Sequence, residues 1–121
     1  MGKYVIKQGK TGPYFVLKAA NGEPIGKSEV YSSEAAAKNG VESVKKNAAV
    51  AQLEDQTVEG WKNVSNPVFE LYKDKAGEFR FRLRAKNGES ILASEGYSAK
   101  ASAIGGIESV KKNADSEVVV E

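Results

Sequence analysis

The chain has 121 residues, of which 40% are hydrophobic and 28% are charged, and its formal net charge is only +2. This length and composition are typical of one soluble globular domain, and the near balance of charges excludes a global attraction to nucleic acid or membrane. Because the sequence contains neither cysteine nor histidine, disulfides, thiolate or imidazole metal sites and Ser-His-Asp or Cys-His catalytic groups are excluded. We therefore expect no enzyme activity, no cofactor and no tight metal site.

The first residues lack the apolar run of a signal peptide. No segment approaches the roughly 20 apolar residues that a membrane helix needs. The absence of cysteine also fits a reducing compartment. We expect a cytoplasmic protein without a membrane partner.

Two segments near the start alternate apolar with polar residues. Tyr4 and Ile6 are followed by a turn rich in Gly, Lys and Thr, and then by Phe15 and Leu17. A period of two residues is typical of half-buried strands, so these segments predict a β-hairpin. A third strand is expected after the turn at Asn21-Gly22.

A helix is predicted next, followed by a fourth strand. Apolar residues recur in the helix at spacings of three and four, at Ala37, Val41, Val44 and Ala48. Ser32 or Ser33 is a suitable N-cap. The apolar segment from Val50 to Leu53 then predicts the strand.

A polar connector follows at residues 55–67, interrupted by Gly60 and Pro67. Its Trp61 is interpreted as a lid over the core more readily than as a platform for a ligand.

The second half of the chain repeats the first. Residues 15–48 align with residues 81–114 without a gap, and about 21 of the aligned positions are identical. Duplication of one β-β-β-α-β unit explains this similarity. In the second copy Ser98 is the expected N-cap, and Val118 to Val120 is the expected last strand.

We predict one domain, residues 1–121, built from repeats at residues 3–54 and 68–121. A unit of roughly 50 residues is too small to bury a secure core alone, so the repeats should share one. The predicted fold class is α+β, with the repeats related by a pseudo-twofold axis. They should share one antiparallel sheet with both helices on the same face.

The turns at Asn21-Gly22 and Asn87-Gly88 predict hairpins whose glycines have positive φ. A two-residue loop would pair Leu83 with Leu92, whereas a three-residue loop would pair Leu83 with Ile91. We favour the three-residue loop, because in both repeats it brings large apolar side chains together. It also places the glycine at a left-handed bulge position.

Three segments of the second repeat, residues 79–89, 94–97 and 106–113, resemble the YegP-like family of small bacterial proteins. The resemblance extends over both repeats. It implies tandem or dimeric β-β-β-α-β units that form one antiparallel sheet, with the last strands swapped between units. It implies no activity, because that family is functionally uncharacterised.

The boldest candidate site is an arginine stripe, which we define as Arg80, Arg82 and Arg84. Alternate residues of a strand project from one face, so the stripe could bind an anion or nucleic acid, with Tyr72 as a stacking surface. A solvated strand face, partly neutralised by Glu70, is the commoner meaning of such a pattern. If the stripe does bind an anion, at most one arginine should be engaged by Glu70.

Other candidate residues have simpler structural explanations. Gly40 and Gly106 lie within the predicted helices, where close packing explains a glycine better than ligand access. Carboxylate pairs such as Glu42 with Glu29, or Glu108 with Glu95, could support acid–base chemistry only if folding brought them together.

These observations leave the function unknown. The leading hypothesis is a non-enzymatic module for protein interaction or self-association through the second face of the sheet. The alternative is a weak binder of nucleic acid or another polyanion through the arginine stripe.

Overall fold

The computed structural model describes residues 2–121, so Met1 of the predicted domain lies outside the described residues. The protein is a mixed α+β structure with one eight-stranded sheet and two helices. Its elements are β1 Lys3–Gln8, β2 Pro13–Lys18, β3 Pro24–Lys27, α1 Glu34–Ala48, β4 Gln52–Asp55, β5 Val68–Lys73, β6 Phe79–Arg84, β7 Ser90–Ala93, α2 Lys100–Asn113 and β8 Glu117–Val120.

The strands lie in the order β4-β5-β6-β7-β3-β2-β1-β8. The six central strands pair antiparallel, as expected. Both edges depart from the expectation of a wholly antiparallel sheet, because β4 is parallel to β5 and β8 is parallel to β1. The pairings give the reason. The strand that follows each helix runs opposite to the strand before it, β4 opposite to β3 and β8 opposite to β7, and the first strand of the other half runs the same way, so the two meet in parallel at the edge.

Both Asn-Gly turns have the predicted three-residue loop. Ala85 donates its backbone N–H to the carbonyl of Glu89, and Gly88 has φ +87°. The predicted pairing of Leu83 with Ile91 is wrong, because a β-bulge one residue further along shifts the register and pairs Leu83 with Leu92. The hairpin at Asn21-Gly22 has the same bulge, with Leu17 opposite Gly26. The positions of the apolar residues predicted the correct loop length, but they did not reveal the extra residue in the strand that follows the loop.

The two helices begin differently. Ser33 caps α1, and its hydroxyl oxygen accepts the backbone N–H of Ala36 at 3.1 Å. The expected cap at Ser98 is wrong, because α2 begins one residue later, after Ala99, with no side-chain cap. The loss of one cap is compatible with a stable helix, since most helical stability comes from packing of the apolar side.

Both helices pack on one side of the sheet and share one core with it. Two pairs of stacked aromatic rings lie between the helices and the sheet. Phe15 stacks with Tyr31, and Phe81 stacks with Tyr97. Tyr31 contacts Gly40 of α1, and Tyr97 contacts Gly106 of α2. The core is formed by alternate strand residues and the apolar stripes of the helices, including Tyr4, Ile6, Phe15, Leu17, Val41, Val44, Phe69, Leu71, Phe81, Leu83, Ile107 and Val110.

Candidate functional site on the open face

The sheet has a second side, which neither helix covers, and we call it the open face. Its residues alternate along each strand with those of the core. The central strands contribute Lys3, Val5, Lys7, Tyr14, Val16, Lys18, Lys27, Glu70, Tyr72, Arg80, Arg82, Arg84 and Ala93.

The arginine stripe lies on the open face, as its alternation predicts, but all three guanidinium groups are engaged by carboxylates. Glu70 accepts hydrogen bonds from Arg82 and Arg84 through one carboxylate oxygen, and the Arg84 Nε–Oε1 distance is 2.8 Å. Arg80 donates its Nε–H to Asp74 Oδ2 at 2.7 Å. Glu70 engages two arginines, so the condition set for anion binding by the stripe is not met.

These pairings also perturb the acids. Burial alone would raise the pKa of Glu70, but the hydrogen bonds from Arg82 and Arg84 outweigh it and lower that pKa below its usual range. The hydrogen bond from Arg80 likewise lowers the pKa of Asp74. Both carboxyl groups therefore stay ionised at neutral pH, and their two negative charges offset two of the three positive charges of the stripe.

Tyr72 does not lie open beside the stripe. The guanidinium carbon of Arg82 lies 4.7 Å from the centroid of its ring. On the other side of the stripe, the β-bulge places Ala93 beside Arg82 and turns Leu92 into the core. The stripe is thus a closed set of internal contacts, which an added anion would have to compete with.

The other half of the open face has an aliphatic centre. Val5 is 1% exposed although no helix covers it, because Val16 and Val119 lie beside it on the two neighbouring strands. Beside these residues is a depression of about 570 Å³, whose lining includes Tyr14, Val16 and Arg80. This volume lies within the range of about 300–1,000 Å³ that is usual for ligand pockets.

Lysines surround the aliphatic centre. Lys7, Lys18 and Lys27 line the depression, with Glu95 as its acidic member. The Lys27 ammonium lies 4.7 Å from the centroid of the Tyr14 ring. Sequence reasoning missed these lysines because each is a single charge on a different strand. Alignment of the two similar segments could have drawn attention to Lys18, which stands at the position equivalent to Arg84.

The connector folds against the second half of the sheet. Glu54 is 3% exposed, and its carboxylate accepts the backbone N–H of Val64 at 2.7 Å and the side-chain amide of Gln56. Trp61 is 43% exposed and lies outside the core, so its interpretation as a lid is wrong. The connector is held through its backbone by Glu54 rather than through the indole ring.

The remaining candidates do not assemble into a site. Aromatic rings occupy the space beside Gly40 and Gly106, as close packing predicted. Glu95 lines the depression, whereas Glu108 lies on the exposed side of α2, so this carboxylate pair is not brought together. No group of three or more Asp or Glu residues within residues 2–121 is arranged to hold a metal ion. The expectation of no tight metal site stays a prediction.

Comparison with known proteins decides the family. The model of a domain of unknown function, DUF1508, matches residues 10–55 and again residues 74–121. The chain belongs to the DUF1508 family. Within the described residues, neither helix has the length and apolar character needed to cross a membrane.

DUF1508 relatives match either the whole chain or about half of it. The UPF0339 protein YegP of Yersinia pestis is 42% identical over 98% of this chain and 94% of its own length. A UPF0339 protein of Agrobacterium fabrum is 60% identical over 44% of this chain and 86% of its own length. A UPF0339 protein in the ptx operon 5′ region of Stutzerimonas stutzeri is 62% identical over 44% of this chain, and the match spans about half of that relative.

Solved structures of two DUF1508 relatives have the same fold. The solution NMR structure of yegP from E. coli, described as a protein of unknown function, has a TM-score of 0.80 at 30% identity and covers 99% of this chain and 92% of that one. A UPF0339 protein from Shewanella oneidensis has a TM-score of 0.78 at 29% identity, covering 98% of this chain and 92% of that one. These relatives carry no assigned activity in their descriptions.

Proposed function

We propose that the protein is a non-enzymatic interaction module that binds a protein partner through the open face of its sheet. The observation that carries this proposal is the depression of about 570 Å³ beside the aliphatic centre, on a side of the sheet that the helices leave uncovered. Apolar surface surrounded by polar groups is typical of interaction sites on soluble domains.

The fold itself supports a rigid scaffold made from two swapped repeats. β4 of the first repeat pairs with β5 of the second, and β8 of the second repeat pairs with β1 of the first. From either edge, the order is the same: the fourth strand of one repeat comes first, and the first, second and third strands of the other repeat follow it. The double match of the family model supports the same interpretation. Because each repeat contributes an edge strand that pairs with the other repeat, the two halves form one continuous sheet with one open face.

A partner is a better fit than a substrate. The chain has no histidine or cysteine, and Glu70 on the open face is engaged by arginines, which lower its pKa rather than raising it toward neutrality. A general acid or base works best with a pKa near the working pH. Polyanion binding by the arginine stripe is disfavoured because its charges are already paired.

The proposal can be tested by immobilising the parent protein and two matched variants and comparing which cellular proteins each of them retains. Val16→Glu places a charge beside the aliphatic centre, whereas Val50→Glu makes the same change at a site after α1 that is 66% exposed. Proteins retained by the parent and by Val50→Glu, but lost from Val16→Glu, are the expected result. Circular dichroism checks the fold of each variant, and sedimentation shows whether the partner is a second copy. Equal retention on all three proteins, or none on the parent, contradicts the proposal.

A further inference from the structure

One row of residues crosses the open face, and its two halves have opposite chemistry. Val5, the third residue of β1, lies between Val16 and Val119. Glu70, the third residue of β5, lies instead between a carboxylate on β4 and an arginine on β6. One half of the row is therefore charged, whereas the other half is apolar.

Three cations surround the apolar half, and we call Lys7, Lys18 and Lys27 the lysine border. Lys7 lies 3.9 Å from Glu121, which is the outer limit of an ion pair. Lys18 and Lys27 form no ion pair with any residue among 2–121. The ammonium groups are thus largely uncompensated, in contrast to the fully paired arginine stripe.

The equivalent acid positions explain why the border is uncompensated. Asp74 and Glu70 neutralise the stripe from β5 and the turn that follows it. At the corresponding positions of the first repeat the chain has Gly9 and Val5. Of the three lysines, Lys18 is equivalent to Arg84, and the two acids that engage the stripe have no counterpart beside it. Such a surface attracts a negatively charged partner.

The aromatic rings of the open face favour a polypeptide over a nucleic acid. Unpaired bases bind chiefly by stacking on aromatic faces. A cation lies over the ring of Tyr14 and another over the ring of Tyr72, each 4.7 Å from the centroid. The apolar lining between the lysines comes from Val16, Pro24 and Ala93, which suit an aliphatic side chain rather than a base.

We infer that the depression on the open face binds an acidic segment of a protein partner, which places an apolar side chain against Val16 and carboxylates on the lysine border. This inference rests on the proposed function and specifies the chemistry of the partner. The apolar contact supplies affinity through burial, and the carboxylates supply orientation and a faster association. An extended segment suits the site, because the lysines lie on three adjacent strands.

The test uses defined peptides on the full chain. A fluorescein-labelled peptide with leucines among glutamates is the main probe, and an all-glutamate peptide of equal length and an oligothymidylate are the comparisons. The leucine-containing peptide should bind most tightly. The Lys7→Ser/Lys27→Ser variant should weaken its binding at least about tenfold, which corresponds to about 1.4 kcal/mol. NMR spectra of the backbone amides check that each variant is folded. On addition of the peptide, the amide signals that shift should be those of residues around Val16.

A matched control removes the same amount of charge elsewhere. Lys38 lies on α1, and Lys75 lies in the turn before β6. The Lys38→Ser/Lys75→Ser variant should bind the peptide within about twofold of the parent, because distant exposed charges are screened by salt. Equal weakening by both double variants would show a general charge effect and overturn the inference.

The outcomes separate the chemistry of the partner from the function of the surface. If Val16→Glu abolishes capture but the acidic peptide does not bind, the inferred chemistry is wrong and the interaction surface stands. If neither experiment depends on the open face, both proposals fail. Tighter binding of the oligothymidylate than of either peptide would overturn the choice of a polypeptide partner.

Discussion

Replacement of Gly106 by alanine tests how closely the second helix lies on the sheet. Gly106 is buried in α2, and an added Cβ atom would lie 2.7 Å from both Phe81 Cε2 and Tyr97 Oη. Those rings stack on each other with their centroids 6.4 Å apart, so neither can move without disturbing the core. Gly105, the preceding residue of the helix, has nothing within 4 Å of the equivalent position.

The adjacent glycines make a matched pair. Alanine stabilises a helix interior by about 1 kcal/mol relative to glycine, and both variants receive this gain. Overpacking of a core costs about 1–3 kcal/mol, and only Gly106→Ala incurs it. Gly105→Ala should therefore be more stable than the parent by about 1 kcal/mol, and Gly106→Ala should be less stable than Gly105→Ala by about 1–3 kcal/mol.

Urea unfolding followed by circular dichroism measures both differences as shifts of the midpoint at constant slope. The slope serves as the control, since a changed slope would indicate an altered denatured state rather than altered packing. If Gly106→Ala is as stable as Gly105→Ala, then the helix does not lie against Phe81 and Tyr97 as described, and the account of the core is wrong.

Three further predictions concern the ion pairs and the exchanged strands. Arg82 and Arg84 hold the pKa of Glu70 below its usual value in the folded state, so their stabilising effect is full above the ordinary carboxyl pKa and is lost as the pH falls through the lowered value. Glu70→Gln should therefore lower the free energy of unfolding at pH 7 by about 1–2 kcal/mol, and urea titrations should show this deficit shrinking towards pH 3. Serine at all three positions of the arginine stripe should lower retention on heparin at low salt no more than serine at the exposed Lys46, Lys111 and Lys112 does, because the stripe is engaged internally and both variants lose the same three positive charges; a much larger loss from the stripe variant would restore the stripe as a site. Fragments 1–60 and 61–121 should each fail to form a stable monomer but should combine in equal amounts into a folded complex, because each supplies an edge strand to the other; a monomeric, cooperatively unfolding fragment would contradict the exchange.

Local patterns predicted the elements of this fold well. Alternation in β6 identified a strand with a core side and a polar side, and Asn87-Gly88 identified the turn and the left-handed glycine. The bulge beside the turn was missed, because an extra residue in a returning strand leaves no signal in the alternation of its partner. The cap of α2 was missed for a related reason, since a serine one residue earlier satisfied the composition rule without the geometry.

The candidate site was predicted less well because it depends on contacts between distant segments. The arginine stripe is a contiguous pattern, so the sequence suggested it readily. Its neutralisation requires Glu70 to lie between two arginines and Asp74 to reach back to Arg80. The depression on the other half is formed by residues from β1, β2 and β3 together with β6 and β7, which only the strand order brings together.

The central claim is that the open face contacts a protein partner in the cell. Site-specific photo-crosslinking tests it most directly, with the photoreactive amino acid benzoylphenylalanine at Tyr14 on the open face and at Lys38 on α1 as the control. The account predicts discrete crosslinked protein adducts from position 14 and none of the same adducts from position 38. Adducts from position 38 alone, or the same adducts from both positions, would contradict the claim that the uncovered side of the sheet is the interaction surface.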